Sequence, residues 1–90
     1  MKSIIQKEKR CYVCANPHAL HEHHIFPGSR RQASEEHGLK VWLCERHHTG
    51  EEGAHNDSWL LKKLQRIGQS KFEENHPREE FIKIFGKNYL

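Results

Sequence analysis

Long apolar runs are missing from this chain. No stretch approaches the roughly 20 apolar residues that a membrane-spanning helix needs. The opening segment, Met1 to Arg10, carries Lys2, Lys7, Lys9 and Arg10 but no apolar run of signal-peptide length. Both absences argue against a membrane partner and make the cytoplasm the expected location. Internal repeats, low-complexity tracts and dividing linkers are missing too. A single domain is therefore expected over residues 11–90, preceded by a loose basic arm over residues 1–10. Hydrophobic residues are scarce, at 34% of the 90 positions. A domain of this size buries only about 60% of the surface its unfolded chain exposes, so it needs a staple. Disulfides cannot supply a complete one, because the three cysteines, Cys11, Cys14 and Cys44, are odd in number.

Histidine is what the chain has in excess, with nine copies. One of them can complete a metal site with the three thiols. Cys11 and Cys14 form a C-x₂-C pair, and Cys44 and His47 form a C-x₂-H pair, the arrangement of a closed tetrahedral zinc site. Thiolate and imidazole suit zinc far better than magnesium, and closing the intervening loop of about thirty residues would constrain a thin core. His48 is an alternative to His47, since a short helix can present either ring. A metal site of this kind favours a reducing compartment over a disulfide-forming one.

The pattern between these pairs reads as two strands and a helix. Cys11 to Cys14 suits a turn, and Asn16-Pro17 a loop. Leu20 to Phe26 reads as a short strand stopped by Pro27-Gly28, and Leu39 to Leu43 as a second. Ser29 to His37 can form one or two helical turns ending at Gly38. Cys44 to Gly50 suits a short helix that brings Cys44 and His47 to one side. Leu60, Leu61, Leu64, Ile67 and Phe72 recur at helical spacing through about Asn75, with Asn56, Asp57 or Ser58 as the cap. A last short helix is expected between Pro77 and Gly86.

The reactive segment is His23-His24-Ile25-Phe26-Pro27. Adjacent imidazoles can divide two tasks, one holding a divalent ion and one taking a proton from water, because imidazole titrates near neutrality. A phosphodiester suits that pairing, since a metal ion stabilises the charge that builds at the attacked phosphorus and its leaving oxygen. The ion needs a further ligand, for which His48 is best placed and His55 is the reserve. Two conditions attach. Strict strand alternation points His23 and His24 to opposite faces, so both serve one site only where the strand twists or ends. The bland alternative is a solvated histidine cluster, or histidines that belong wholly to zinc.

These motifs resemble the HNH group of the His-Me finger nucleases, and more closely small phage and prophage proteins akin to a recombination-enhancing nuclease that acts with the host strand-exchange protein. The likeness runs over Cys11-Tyr-Val-Cys14, His23-His24-Ile25-Phe26-Pro27-Gly28, Gly38 to Cys44, His47-His48 and Gly53-Ala54-His55, then on to Phe85-Gly86-Lys87-Asn88-Tyr89. The resemblance implies a small α+β fold, a zinc-stabilised ββα-metal finger with additional C-terminal helices. It implies a metal-dependent endonuclease acting on DNA in phage or prophage recombination or processing, with the host recombinase as a further partner. It carries the ion-holding role onto His23, the general base onto His24 and the last motif histidine onto His48. Structural Zn²⁺ and a catalytic Mg²⁺, Mn²⁺ or Zn²⁺ are the implied cofactors. Many members have a second C-x-x-C where this chain has Cys44-Glu45-Arg46-His47. The asparagine of the family name is missing before Leu43, where Lys40 and Trp42 stand, so no residue is evident that would orient His24.

The formal charge of +3 allows a polyanionic partner without requiring one. Arg30 and Arg31, beside the reactive segment, and Lys40 and Arg46 are the expected phosphate contacts, with Lys62, Lys63 and Arg66 adding positive charge. Trp42 and Trp59 sit in apolar neighbourhoods and are expected in the core. No recognition-helix spacing or aromatic stripe is present, which predicts weak sequence preference. The competing reading is a non-catalytic, zinc-organised module that binds nucleic acid or protein. The two differ at His24 and in whether a second metal ion is acquired.

Overall fold

A computed structural model describes residues 1–50, 53–54 and 58–90. Strand β1 (Leu20–His24) pairs antiparallel with β2 (Lys40–Cys44), in a register that sets Leu20 opposite Cys44 and His24 opposite Lys40. Between them lie a 3₁₀ turn (Gly28–Arg30) and helix α1 (Arg31–Glu36). Helix α2 (Glu45–His48) follows β2 directly, with Cys44 as its extended N-cap, and gives the ββα arrangement read from the sequence. Helices α3 (Ser58–Phe72) and α4 (Arg78–Phe85) complete the chain. The expected caps Asn56 and Asp57, and His55, lie outside the described residues.

Ser34 ties α1 into the mouth of the hairpin. It is fully buried, its hydroxyl donates to the Leu39 carbonyl and accepts from the Phe26 amide, and its own carbonyl accepts from the Leu39 amide at 2.8 Å. A buried hydroxyl costs free energy unless it is paired, and here it closes the loop at both ends. Gly38 then ends α1 in the left-handed region at φ +68°, and a Cβ there would stand 2.5 Å from the Lys2 carbonyl oxygen. Only glycine meets both demands.

That contact shows the first ten residues to be tied down, contrary to the expected loose arm. The Ile4 amide donates to the Gly38 carbonyl at 2.9 Å, Ser3 donates to the Lys40 carbonyl, and the Trp42 amide donates to Gln6 Oε1 at 2.8 Å. The Tyr12 amide adds a bond to the Trp42 carbonyl at 2.8 Å. With β1 on one side, β2 has an open edge on the other, and residues 3–12 satisfy its backbone groups there.

The core is an aromatic cluster. Phe26 meets Phe85 at a ring separation of 4.6 Å and Phe81 at 5.4 Å, and Phe72 meets Phe81 at 5.5 Å. Burying each phenylalanine contributes roughly 1.5–3 kcal/mol. α3 presents Leu60, Leu64, Gly68 and Phe72, four residues apart, to this cluster. At Gly68 a Cβ would lie 3.2 Å from the Phe26 ring and 3.3 Å from Ile25, so α3 lies against the two residues that follow His24. The C-terminal segment is fastened through buried Gln69, which donates to Asn88 Oδ1 at 2.8 Å and accepts from the Tyr89 amide at 2.7 Å. Trp59 does not join this core, contrary to expectation. It is 69% exposed, because the apolar neighbour Leu60 lies about 100° away around the helix.

Candidate functional site

Three groups of titratable side chains converge on the β1–β2 hairpin. The first is Cys11, Cys14, Cys44 and His47. Cys11 and Cys14 sit on a tight turn in which the Ala15 amide donates to the Cys11 carbonyl and the Cys11 amide to the Asn16 carbonyl, with Ala15 at φ 64°. Cys44 and His47 come from the end of β2 and the first turn of α2. Cys14 Sγ lies 3.8 Å from Cys44 Sγ, and His47 Nδ1 lies 3.7 Å from Cys11 Sγ and 3.3 Å from Cys44 Sγ. A tetrahedral zinc with ordinary bond lengths has ligand–ligand edges of roughly 3.5–3.8 Å, close to these. The cluster is geometrically able to chelate a divalent metal, and it uses His47 rather than His48.

The thiols are prepared for a cation. Burial opposes ionisation of Cys11, but hydrogen bonds from the backbone amides of Cys44, Cys14 and Val13 outweigh it and bring the thiol down to about 6. At Cys14 the Asn16 amide favours the thiolate, yet desolvation and the neighbouring Cys11 and Cys44 sulfurs push the pKa up. Crowded sulfurs resist collecting negative charge together, and a bound cation removes that conflict.

The second group is His21, His23 and His48. Residues two apart on a strand share a face, so β1 sends His21 and His23 to the side that α2 covers. His23 is 2% exposed and its ring meets His48 at 5.4 Å edge-on, while His21 stacks on His48 at 5.2 Å. The expected pair of His23 and His48 is thus brought together. His21 was not anticipated, although its i, i+2 spacing from His23 was the available signal.

The third group holds His24, which strand alternation sends to the other face. Its Nε2 lies 2.9 Å from Oε1 of Glu35 on α1. Lys40, opposite His24 in the register, donates to both Glu35 oxygens at 2.7 and 3.0 Å and reaches Glu22 Oε2 at 3.2 Å. Lys40 holds the Glu35 carboxyl far below the usual carboxylate range, helped by the bond from His24. Burial alone would lower the Lys40 pKa, but the two carboxylates raise it. Ligand atoms of Glu22, His24 and Glu35 lie within 4.8 Å of one another, a geometry able to chelate a divalent ion. The cation among them here is the Lys40 ammonium, which such an ion would have to displace.

Glu35 escaped the sequence reading, and its contacts supply what that reading lacked: an acceptor that fixes the imidazole of His24. Lys40, expected to touch phosphate, is 8% exposed and engaged with carboxylates instead. Arg30 donates to the Ile84 carbonyl at 3.1 Å and so finishes the end of α4. Arg31 is exposed and shares an open groove with His24, Ser29 and Glu35. Arg46 is exposed on α2. Among the described residues no helix is long and apolar enough to cross a membrane. Compared with protein-family models, curated proteins and solved structures, the chain gives no match.

Proposed function

We propose that the chain is a metal-dependent HNH-type endonuclease that hydrolyses DNA phosphodiester bonds, with His24 as the general base. The observation that carries this reading is the contact between His24 Nε2 and Glu35 Oε1 at 2.9 Å, at the rim of an open groove. A carboxylate held ionised accepts the Nε2 proton, so the neutral ring keeps its lone pair on Nδ1, where it can take a proton from water.

His23 and His48 are the residues that would hold the catalytic ion, with His55 as a further candidate. A divalent ion bound there supplies charge stabilisation to the phosphate and its leaving oxygen. His23 and His24 are the last two residues of β1 and leave it on opposite faces, so one phosphate would have to sit at the end of the strand to meet both. Arg31 lies in the same groove as His24 and is the cation best placed to hold the backbone. Zinc held by Cys11, Cys14, Cys44 and His47 fixes the hairpin that carries both histidines. The resemblance to recombination-enhancing nucleases supports a role in phage or prophage DNA processing, with the host strand-exchange protein as partner.

Single-turnover cleavage of labelled single- and double-stranded DNA, with magnesium, manganese and zinc supplied in turn, tests the reading. Wild-type protein should cut with at least one ion. Absence of cleavage by folded, zinc-loaded protein under every condition would leave the zinc-organised binding module instead.

A further inference from the structure

Helix α3 carries no acidic residue anywhere along SWLLKKLQRIGQSKF. Its outer stripe is formed by Trp59, Lys62, Lys63 and Arg66, spaced three, one and three residues apart and turned away from Leu60, Leu64 and Gly68. The C-terminal segment brings Lys87 and Tyr89 alongside, and these six side chains share one groove whose lining, among the described residues, holds no carboxylate. Each ring has its own cation. Lys63 Nζ lies 5.1 Å from the Trp59 ring centroid and Lys87 Nζ lies 4.9 Å from that of Tyr89. Tyr89 also packs on Phe26 at 5.0 Å, which anchors its ring to the core, whereas Trp59 is 69% exposed.

An exposed tryptophan on a helix face that is otherwise cationic fits a partner with flat rings and a repeating negative charge. An anionic bilayer would call for an apolar stripe, and among the described residues Ile67 is the only aliphatic one lining the groove. An acidic peptide would engage the cations but has little to lay on two aromatic faces. We propose that this face binds a single nucleic-acid strand, with a base stacked on Trp59 and phosphates held by Lys62, Lys63, Arg66 and Lys87. The groove lies apart from the His24 groove, and its use does not depend on whether the hairpin cleaves. Gly68, two residues beyond Arg66 on α3, packs on Ile25 and Phe26, the two residues that follow His24.

The test is a titration of the full-length, zinc-loaded protein in the His24→Ala background, which separates binding from hydrolysis. The probes are an oligothymidylate, an abasic strand of equal length, a DNA duplex of the same length, and phosphatidylserine vesicles. The thymidylate strand should quench tryptophan emission, the abasic strand should bind more weakly without quenching, and the quench should vanish in Trp59→Phe, where Trp42 is the remaining tryptophan. Trp59→Ala should weaken binding of the thymidylate strand roughly ten- to hundredfold. Lys62→Ala combined with Lys63→Ala should lower the salt slope by about 1.4. Unchanged affinity and slope in these variants would overturn the proposal, as would equal affinity for abasic and thymidylate strands. Preference for the duplex or for the vesicles would assign the face to those partners and overturn it likewise. Cleavage by the wild type with no effect of Trp59→Ala on binding would remove this inference alone, and strand binding without cleavage would remove the nuclease reading alone.

Discussion

Nε2 of His24 and Oε1 of Glu35 stand 2.9 Å apart, joining the last residue of β1 to the penultimate residue of α1. In the proposed mechanism this contact decides which ring nitrogen of His24 is left to accept a proton, so it should govern rate more than fold. Glu35→Ala is expected to lower single-turnover cleavage roughly 10–100-fold, the usual effect of losing an orienting partner. Glu35→Gln keeps an acceptor oxygen and should recover part of the rate. Equal rates for all three proteins across pH would show that Glu35 only pairs with Lys40.

His24→Ala should lose about 10²–10⁴-fold in cleavage while keeping its circular dichroism spectrum, zinc content and most of its DNA affinity. Retention of the wild-type rate by a folded, metal-loaded variant would exclude His24 as the base. His23→Ala and His48→Ala should instead raise the concentration of divalent ion needed for half-maximal rate.

Glu35 also makes stability depend on pH. Its folded-state pKa is depressed, so the ion pair with Lys40 stabilises the fold at neutral pH and that contribution disappears as pH falls through and below the ordinary carboxylate range. Lys40 is shifted upward, so no loss is expected from it until pH exceeds the ordinary lysine value. Urea titrations should therefore show a smaller difference between wild type and Glu35→Gln at acid pH than at neutral pH. A constant difference across that range would contradict the assignment.

The two neighbouring arginines should separate. Arg31→Ala is expected to weaken DNA binding and lower the salt slope by about 0.9, the effect of one phosphate contact. Arg30→Ala should instead cost stability, up to about 1 kcal/mol, through its bond to the Ile84 carbonyl. Binding titrations over salt and urea unfolding of both variants would show the reverse assignment directly.

Much of this arrangement was legible because it is local. The paired x₂ spacings named the four residues of the Cys₃His cluster, and the short apolar runs named both strands. The recurrence of Leu60, Leu61, Leu64, Ile67 and Phe72 at helical spacing named α3. Glu35 was illegible because its meeting with His24 depends on how α1 sits across the mouth of the hairpin, a tertiary angle that no spacing records. Trp59 was misplaced because neighbours in sequence are not neighbours on a helix face. The first ten residues were read as loose because Ser3 and Gln6 hold β2 through polar side chains, which leave no hydrophobic period to detect.

Cys11 and Cys14 come before β1, Cys44 and His47 come after its partner strand begins to end, and every residue of the helical half lies beyond them. A metal held by these four residues would span the hairpin alone, while α3 and α4 are clasped by phenylalanine rings. The metal-loaded molecule would then have two sources of cohesion that can be withdrawn one at a time. In hydrogen exchange, stripping the ion should release the amides of residues 11–47 first. Those around Phe72, Phe81 and Phe85 should persist longer, and they should lose protection together with the hairpin only through Ile25 and Phe26, which belong to both.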